Sequence, residues 1–356
     1  MSTFLGLLGH RLTNLPPALA ANCTSLALGT PSSPPGQKIT ATSPCHPKHR
    51  GRPSSIAGTM LFAGTFGLAA MSLFQLLSMR TFLTLLFGGP EPANRYIREF
   101  LRSAGGRAHL DATLSAAEAA GRAAMARDWR YCGLFCPFFG VFAAGLPEEV
   151  LKYLPAATVR WWRARKLAKV TAAAASTKGQ EKNGENEKEE GKEEADKVVS
   201  MSPLEFVNYT VAAGIGFAVF ENIGMIWGSV EGGSSVAELA WLLVERSLSA
   251  LPGHVLCAAL SGVRDSSTRR RRGGGGGGGL VDMMNAILPS VVYHGVFDSA
   301  LLGVSALDGH PGWVRPASPW VLAGTYAMVF AMQGALFLNV RAAWRTETQP
   351  LENKAE

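Results

Sequence analysis

The segment YCGLFCPFFGVFAAGLPEEVLKYLP, residues 131–155, joins 17 uncharged residues to a cluster of three charged ones, Glu148, Glu149 and Lys152. The uncharged run approaches the ~20 residues that a helix needs to cross a bilayer. In a membrane protein, charges beside such a run lie either at the membrane surface or at a functional site. The meaning of this cluster therefore depends on whether the chain is a membrane protein.

Composition indicates that it is. Charged residues make up 17% of the 356 residues, below the ~25% of an average soluble protein. The hydrophobic residues are concentrated, because residues 56–79 and 316–340 contain no charge at all. Further apolar segments include residues 131–155, 203–230, 237–263 and 280–307. The sequence predicts an all-α integral membrane protein, a polytopic bundle of about six transmembrane helices.

Polar segments divide the rest of the chain. We predict a disordered region over residues 1–55, a membrane domain over 56–345 and a C-terminal tail over 346–356. Three segments interrupt the spans of the membrane domain: an interfacial segment at residues 80–130, a charged linker at 170–200 and an Arg/Gly loop at 264–279.

The distribution of positive charge predicts the partner and the orientation. The net charge is +7, but lysine and arginine flank the apolar segments as in membrane proteins. This favours the lipid bilayer as partner and argues against nucleic acid. Loops 160–200 and 264–279 are basic, whereas loops 229–237 and 304–317 are not. The basic loops and the C-terminus are therefore predicted to be cytosolic, in an organelle that the sequence does not identify.

Ionisable residues inside the predicted spans are the candidate functional residues, because a charge within a bilayer costs several kcal/mol. These residues are Glu148, Glu149, Lys152, Glu221, His254, His294 and Asp298. Two pairs, Glu148 with Lys152 and His294 with Asp298, have the i, i+4 spacing of one helix face. A further pair, Glu245 and Arg246, is interpreted as an interfacial pair near the end of a span.

Small residues accompany Glu221. Gly214 with Ala218 and Gly224 with Gly228 have the small-xxx-small spacing that allows helices to approach closely. Glu221 is therefore predicted to face other helices rather than lipid.

Carboxylates and histidines in a bilayer can support hydrolysis. Histidines and a carboxylate can hold a zinc ion with an open position for water, and a second carboxylate can then accept the proton of that water. A metal-free site can use glutamate and histidine to activate the water directly. Buried Glu, His and Asp also build the proton relays of transporters.

Four motifs that follow one another along the chain make the hydrolysis interpretation specific. They are EEVLK (residues 148–152), GFAVFENI (216–223), PGHVLCAALSG (252–262) and HGVFD (294–298). Their order on successive spans resembles the PrsW family of intramembrane proteases, which are distantly similar to CAAX prenyl proteases. The resemblance implies a helical membrane fold and cleavage of peptide bonds in membrane proteins or membrane-associated peptides. It implies roles for Glu148, Glu149, Glu221, His254, His294 and Asp298.

Within such a site, we expect Glu148 or Glu149 to act as general base, with Lys152 holding the carboxylate pair. His254 and His294 are the expected zinc ligands, with Glu221 or Asp298 completing the set. Two alternatives are a proton-coupled transporter, which would move its substrate without cleavage, and a catalytically inactive scaffold of the same fold.

Overall fold

The computed structural model describes residues 53–103, 114–178, 201–231, 233–271, 279–314, 316 and 318–348, which all belong to one compact unit, His49–Glu356. The predicted disordered N-terminal region, charged linker and C-terminal tail fall largely outside the described residues. The start of the predicted linker, up to Lys178, continues a helix. The first half of the predicted Arg/Gly loop, residues 264–271, is also helical and ends α6, whereas residues 272–278 lie outside the described residues.

The described residues form eight helices and no strand. They are α1 (Pro53–Phe62, Ala63–Gly67 and Leu68–Phe87), α2 (Pro90–Ser103), α3 (Ala116–Arg127), α4 (Arg130–Phe135, Cys136–Phe138, Phe139–Gly145 and Leu146–Lys178), α5 (Pro203–Glu231), α6 (Val236–Arg271), α7 (Leu280–Leu307) and α8 (Pro319–Thr348).

The predicted fold class is confirmed. Five of the described helices, α1, α4, α5, α7 and α8, are long and apolar enough to cross a membrane. The remaining long helix, α6, has 36 residues and coincides with the predicted span at residues 237–263. Its charged residues make it less apolar than the other five. It nevertheless packs between α5, α7 and α8 in the bundle.

Local sequence explains where the first helices begin and end. Gly88 has a φ of 73° and ends α1 in the left-handed conformation that glycine adopts without strain. Pro90 then begins α2, where its missing N–H leaves no helical partner unsatisfied. At the start of α3, the Ser115 hydroxyl and the Glu118 carboxylate cap each other's backbone amides.

One end of the bundle, called here the basic end, is held by ion pairs between α4, α5 and α6. The Arg160 guanidinium contacts the Asp265 carboxylate, to which the Tyr153 hydroxyl also donates over 2.5 Å. Arg163 lies 2.7 Å from the Glu205 carboxylate. The C-terminal half of α4, the start of α5 and the C-terminal part of α6 therefore meet at the same end of the bundle.

The opposite end carries α2 and α3, which form the segment predicted to be interfacial. One of its arginines, Arg122, lies 3.1 Å from Glu99 across the two helices. The Tyr96 hydroxyl donates to the Met125 carbonyl over 3.2 Å and ties α2 to α3. The described residues of this segment thus add two short helices to the bundle, and neither has the length to cross a membrane.

Candidate active site

The predicted site residues converge in the middle of the bundle, between an aromatic core near α2 and α3 and a second core near the basic end. Each comes from the central part of its helix: Glu148, Glu149 and Lys152 from α4, Glu221 from α5, His254 from α6, and His294 and Asp298 from α7. All except Glu221 are less than 9% exposed.

Glycines bring these helices close enough for the side chains to meet. A Cβ atom at Gly145 would lie 3.1 Å from the backbone nitrogen of Gly295 and 3.1 Å from the carbonyl of Val291. Gly145 precedes Glu149 by one helical turn, and Gly295 follows His294. The close approach of α4 and α7 therefore places Glu149 beside His294. A π-helical segment, Phe139–Gly145, ends at this point, and such segments are frequent at functional sites.

Lys152 lies at the centre of the cluster and is 1% exposed. Its Nζ atom lies 2.8 Å from Glu149 Oε1, 2.7 Å from His254 Nδ1 and 3.5 Å from Glu148 Oε2. One ammonium group therefore contacts side chains of α4 and α6. Lysine has three N–H donors and no acceptor, so the contact with His254 requires an unprotonated Nδ1.

His294 is surrounded by carboxylates. Its Nδ1 lies 2.9 Å from Glu149 Oε1, and its Nε2 lies 3.3 Å from Glu148 Oε2 and 3.5 Å from Asp298 Oδ2. The short contact with Glu149 orients the ring. It leaves Nε2 pointing toward Glu148 and Asp298 on the other side.

His254 has an equivalent orienting partner in Glu221. Its Nε2 lies 2.9 Å from Glu221 Oε2, so the ring places Nε2–H on Glu221 and Nδ1 toward Lys152 and Glu148.

The prediction that Glu221 faces other helices is confirmed. The predicted packing role holds for Gly214, which approaches the His254 carbonyl. Among the described residues, no atom lies within 4 Å of a Cβ placed at Gly224 or Gly228.

Arg246 is part of this site, which corrects its interpretation as half of an interfacial pair. Its Nη2 lies 2.7 Å from Glu221 Oε2, and its Nε donates to the Asn222 side chain over 2.9 Å. Arg246 precedes His254 by eight residues on α6, a little over two helical turns, so both lie on the same face. This spacing is the sequence signal that could have identified it.

The site has more carboxylates than cations. If Glu148, Glu149, Glu221 and Asp298 were all ionised and both histidines neutral, Lys152 and Arg246 would leave a formal charge of −2, unless two carboxylates were protonated. Glu149 Oε2 is buried and has no hydrogen-bond partner in the described part of the chain. A divalent cation would balance this charge.

Three of these residues can act together as metal ligands. One ligand atom from each of Glu148, His254 and His294 lies within 4.8 Å of the other two. Two imidazoles and one carboxylate form a ligand set that catalytic zinc sites use. Glu149 and Glu221 each contact one nitrogen of a histidine ring, as orienting carboxylates do in metal sites. The other nitrogen of His254, Nδ1, lies 2.7 Å from Lys152, so a metal ion bound there would displace that ammonium group. The donor types and the burial fit a zinc ion.

A cavity of about 520 Å³, including its open mouth, reaches this cluster from α6 and α8. His254, His294, Asp298, Glu221 and Arg246 are exposed to it, and its outer wall comes from Met332, Gln333 and Leu336 of α8. The site is thus accessible from one side through a largely apolar opening, as suits an apolar substrate.

Comparison with known proteins gives one match. The family model described as PrsW family intramembrane metalloprotease matches residues 133–334, a range that contains every residue of the cluster. Searches of curated proteins and of solved structures found no match to this chain.

The pair of Arg246 and Glu221 yields a prediction about stability. Arg246→Gln leaves Glu221 partly buried beside His254 without its cation, so we expect a loss of about 2 kcal/mol in unfolding free energy. The double variant Glu221→Gln/Arg246→Gln should recover at least half of this loss, because no uncompensated charge remains. Urea unfolding in detergent measures all three proteins. Equal losses in the single and double variants would contradict the pairing.

Proposed function

The chain belongs to the PrsW family of intramembrane metalloproteases, and from that premise we propose that it hydrolyses peptide bonds of membrane-associated substrates at the cluster of Glu148, His254 and His294. The protein is a multi-pass membrane peptidase. The observation that supports the location of its active site is the buried convergence of these three side chains in mid-bundle. The cavity gives an apolar substrate a path to His254 and His294.

We assign the metal to Glu148, His254 and His294. A zinc ion bound there would supply the Lewis acidity that makes a water nucleophilic at neutral pH. The chain's own residues prepare the ligands, since Glu221 fixes the ring of His254 and Glu149 fixes that of His294. Lys152 balances Glu149 at 2.8 Å, which keeps that carboxylate ionised in a buried position.

The proton of the attacking water needs an acceptor that faces the cavity. Asp298 lines the cavity, and its nearest described ion-pair contact, with His294 Nε2, is 3.5 Å long. Glu149 and Glu221 are instead engaged by Lys152 and Arg246. The geometry therefore favours Asp298 as general base when Glu148 is a ligand. In the metal-free alternative, Glu148 accepts the proton, as the sequence suggested for Glu148 or Glu149.

The protease function predicts cleavage that depends on Glu148. In cells, new N-termini in membrane proteins should appear with the wild-type protein and disappear with Glu148→Gln, because the variant loses a carboxylate at the reacting centre. Labelling of protein N-termini followed by mass spectrometry measures them. Glu231→Gln, at the end of α5 and outside the cluster, is the matched control and should cleave normally. Substrate flux without any cleavage would instead support the transporter alternative.

The metal assignment predicts a specific loss of metal. Purified wild-type protein should hold about one equivalent of zinc by elemental mass spectrometry, and Glu148→Gln or His294→Ala should lower the content at least about tenfold. Glu231→Gln should retain it. A strong chelator should abolish activity, and added zinc should restore it. If activity survives complete metal removal but not Glu148→Gln, the metal-free alternative is correct.

We further propose that the basic end of the bundle and the C-terminus face the cytosol. The support is that the ends of α4 and α6, which flank the two basic loops, meet at one end. With the five native cysteines replaced, Thr346→Cys should react with an impermeant maleimide applied from the cytosolic side. Val236→Cys, at the start of α6, should not react from that side. The reverse pattern would overturn the orientation.

A further inference from the structure

A proline in α6 interrupts its hydrogen bonding beside the cavity. Pro252 has no N–H, so the carbonyl of Leu248, four residues earlier, lacks its usual helical donor. The missing donor is supplied by another helix. The side-chain amide of Gln333 on α8 lies 3.5 Å from the Leu248 oxygen and also donates to the carbonyl of Ser249.

This break lies on the wall of the active-site cavity. Gln333 and Ser249 line the cavity together with His254 and Asp298, and Pro252 precedes His254 by two residues. Around the amide, the wall is apolar, formed by side chains such as Met332 and Leu336. Gln333 therefore places an amide donor on the same cavity wall, within an apolar surface that a substrate would contact.

This position is important for a membrane protease because the backbone groups of an unwound substrate need hydrogen-bond partners. In a helical substrate, the scissile carbonyl is covered by its own helix, so the segment must unwind to be attacked. An unwound segment in an apolar environment exposes N–H and C=O groups, each costing several kcal/mol without a partner. The Gln333 amide is a donor on this wall, and the Leu248 carbonyl is an acceptor 3.5 Å from that amide. These are the two groups that one extended residue of a substrate requires.

We propose that Gln333 and the Leu248 carbonyl freed by Pro252 form the substrate-backbone binding edge of the cavity. In the free protein, Gln333 satisfies the open carbonyl. On binding, the amide turns to a substrate C=O, and a substrate N–H takes its place on Leu248. The edge selects an unwound segment of an apolar span over a continuous helix. This inference rests on the proposed protease function but concerns binding, so it is tested without cleavage.

The test uses two labelled peptides of about 24 residues, long enough to span a bilayer. One is a continuous Leu/Ala helix, and the other carries Gly-Ser-Gly-Gly at its centre to favour unwinding. Full-length Glu148→Gln protein in nanodiscs binds each peptide without cleaving it, and fluorescence anisotropy gives the apparent Kd. We expect the interrupted peptide to bind about tenfold more tightly, as one to two net hydrogen bonds allow.

Two variants in the same Glu148→Gln background should remove this preference. Gln333→Leu deletes the donor, and Pro252→Ala restores an N–H that can occupy the Leu248 carbonyl. Each should reduce the tenfold preference to about twofold or less. The matched control is Asn339→Leu, which removes an α8 amide that contacts the Tyr293 hydroxyl at 2.7 Å and does not line the cavity. It should retain the preference.

The outcomes separate the two proposals. Equal binding of the two peptides, or an unchanged preference in Gln333→Leu, would overturn the binding edge even if the protein cleaves its substrates. Selective binding that depends on Gln333, without cleavage of the interrupted peptide or of cellular membrane proteins by the wild type, would preserve the edge and overturn the proposed protease function.

Discussion

The ammonium group of Lys152, buried in the middle of a membrane bundle, is the constraint to which the site is adapted. An unpaired charge in that position would cost an amount comparable to the net stability of a domain. Its contacts with Glu149 at 2.8 Å and with His254 at 2.7 Å compensate that cost. Because these partners come from α4 and α6, compensation of one charge also fixes the relative position of two helices.

The partners of Lys152 are buried polar groups that need contacts of their own. Glu149 also contacts His294 on α7, and His254 also contacts Glu221 on α5, which in turn contacts Arg246. The polar groups thus form one connected network across four helices, and glycines at the crossings let the backbones come close enough. In such a network, each member satisfies another, so the loss of one leaves a buried group without its partner.

The sequence was informative about features that a single helix determines. Apolar length predicted the spans, and the presence of charges inside them identified Glu148, Glu149, Lys152, Glu221, His254, His294 and Asp298, all of which lie in the cluster. The sequence was less informative about contacts between two helices. Helical spacing gives the face of Arg246 but not the identity of its neighbour, so its pairing with Glu221 was missed. Gly224 and Gly228 have a packing motif, yet no helix in the described part of the chain packs against them.

The helices that carry the network differ from the helix that forms the outer cavity wall. The ionisable residues of the cluster come from α4 to α7, while α8 contributes the Met332, Gln333 and Leu336 side chains of the cavity wall. Among the five candidate spans, α8 has the smallest buried share. A shift of α8 would separate no ion pair of the cluster, because every ionisable member of the cluster lies on α4 to α7. The residues of the proposed chemistry and the α8 part of the cavity wall thus belong to different helices.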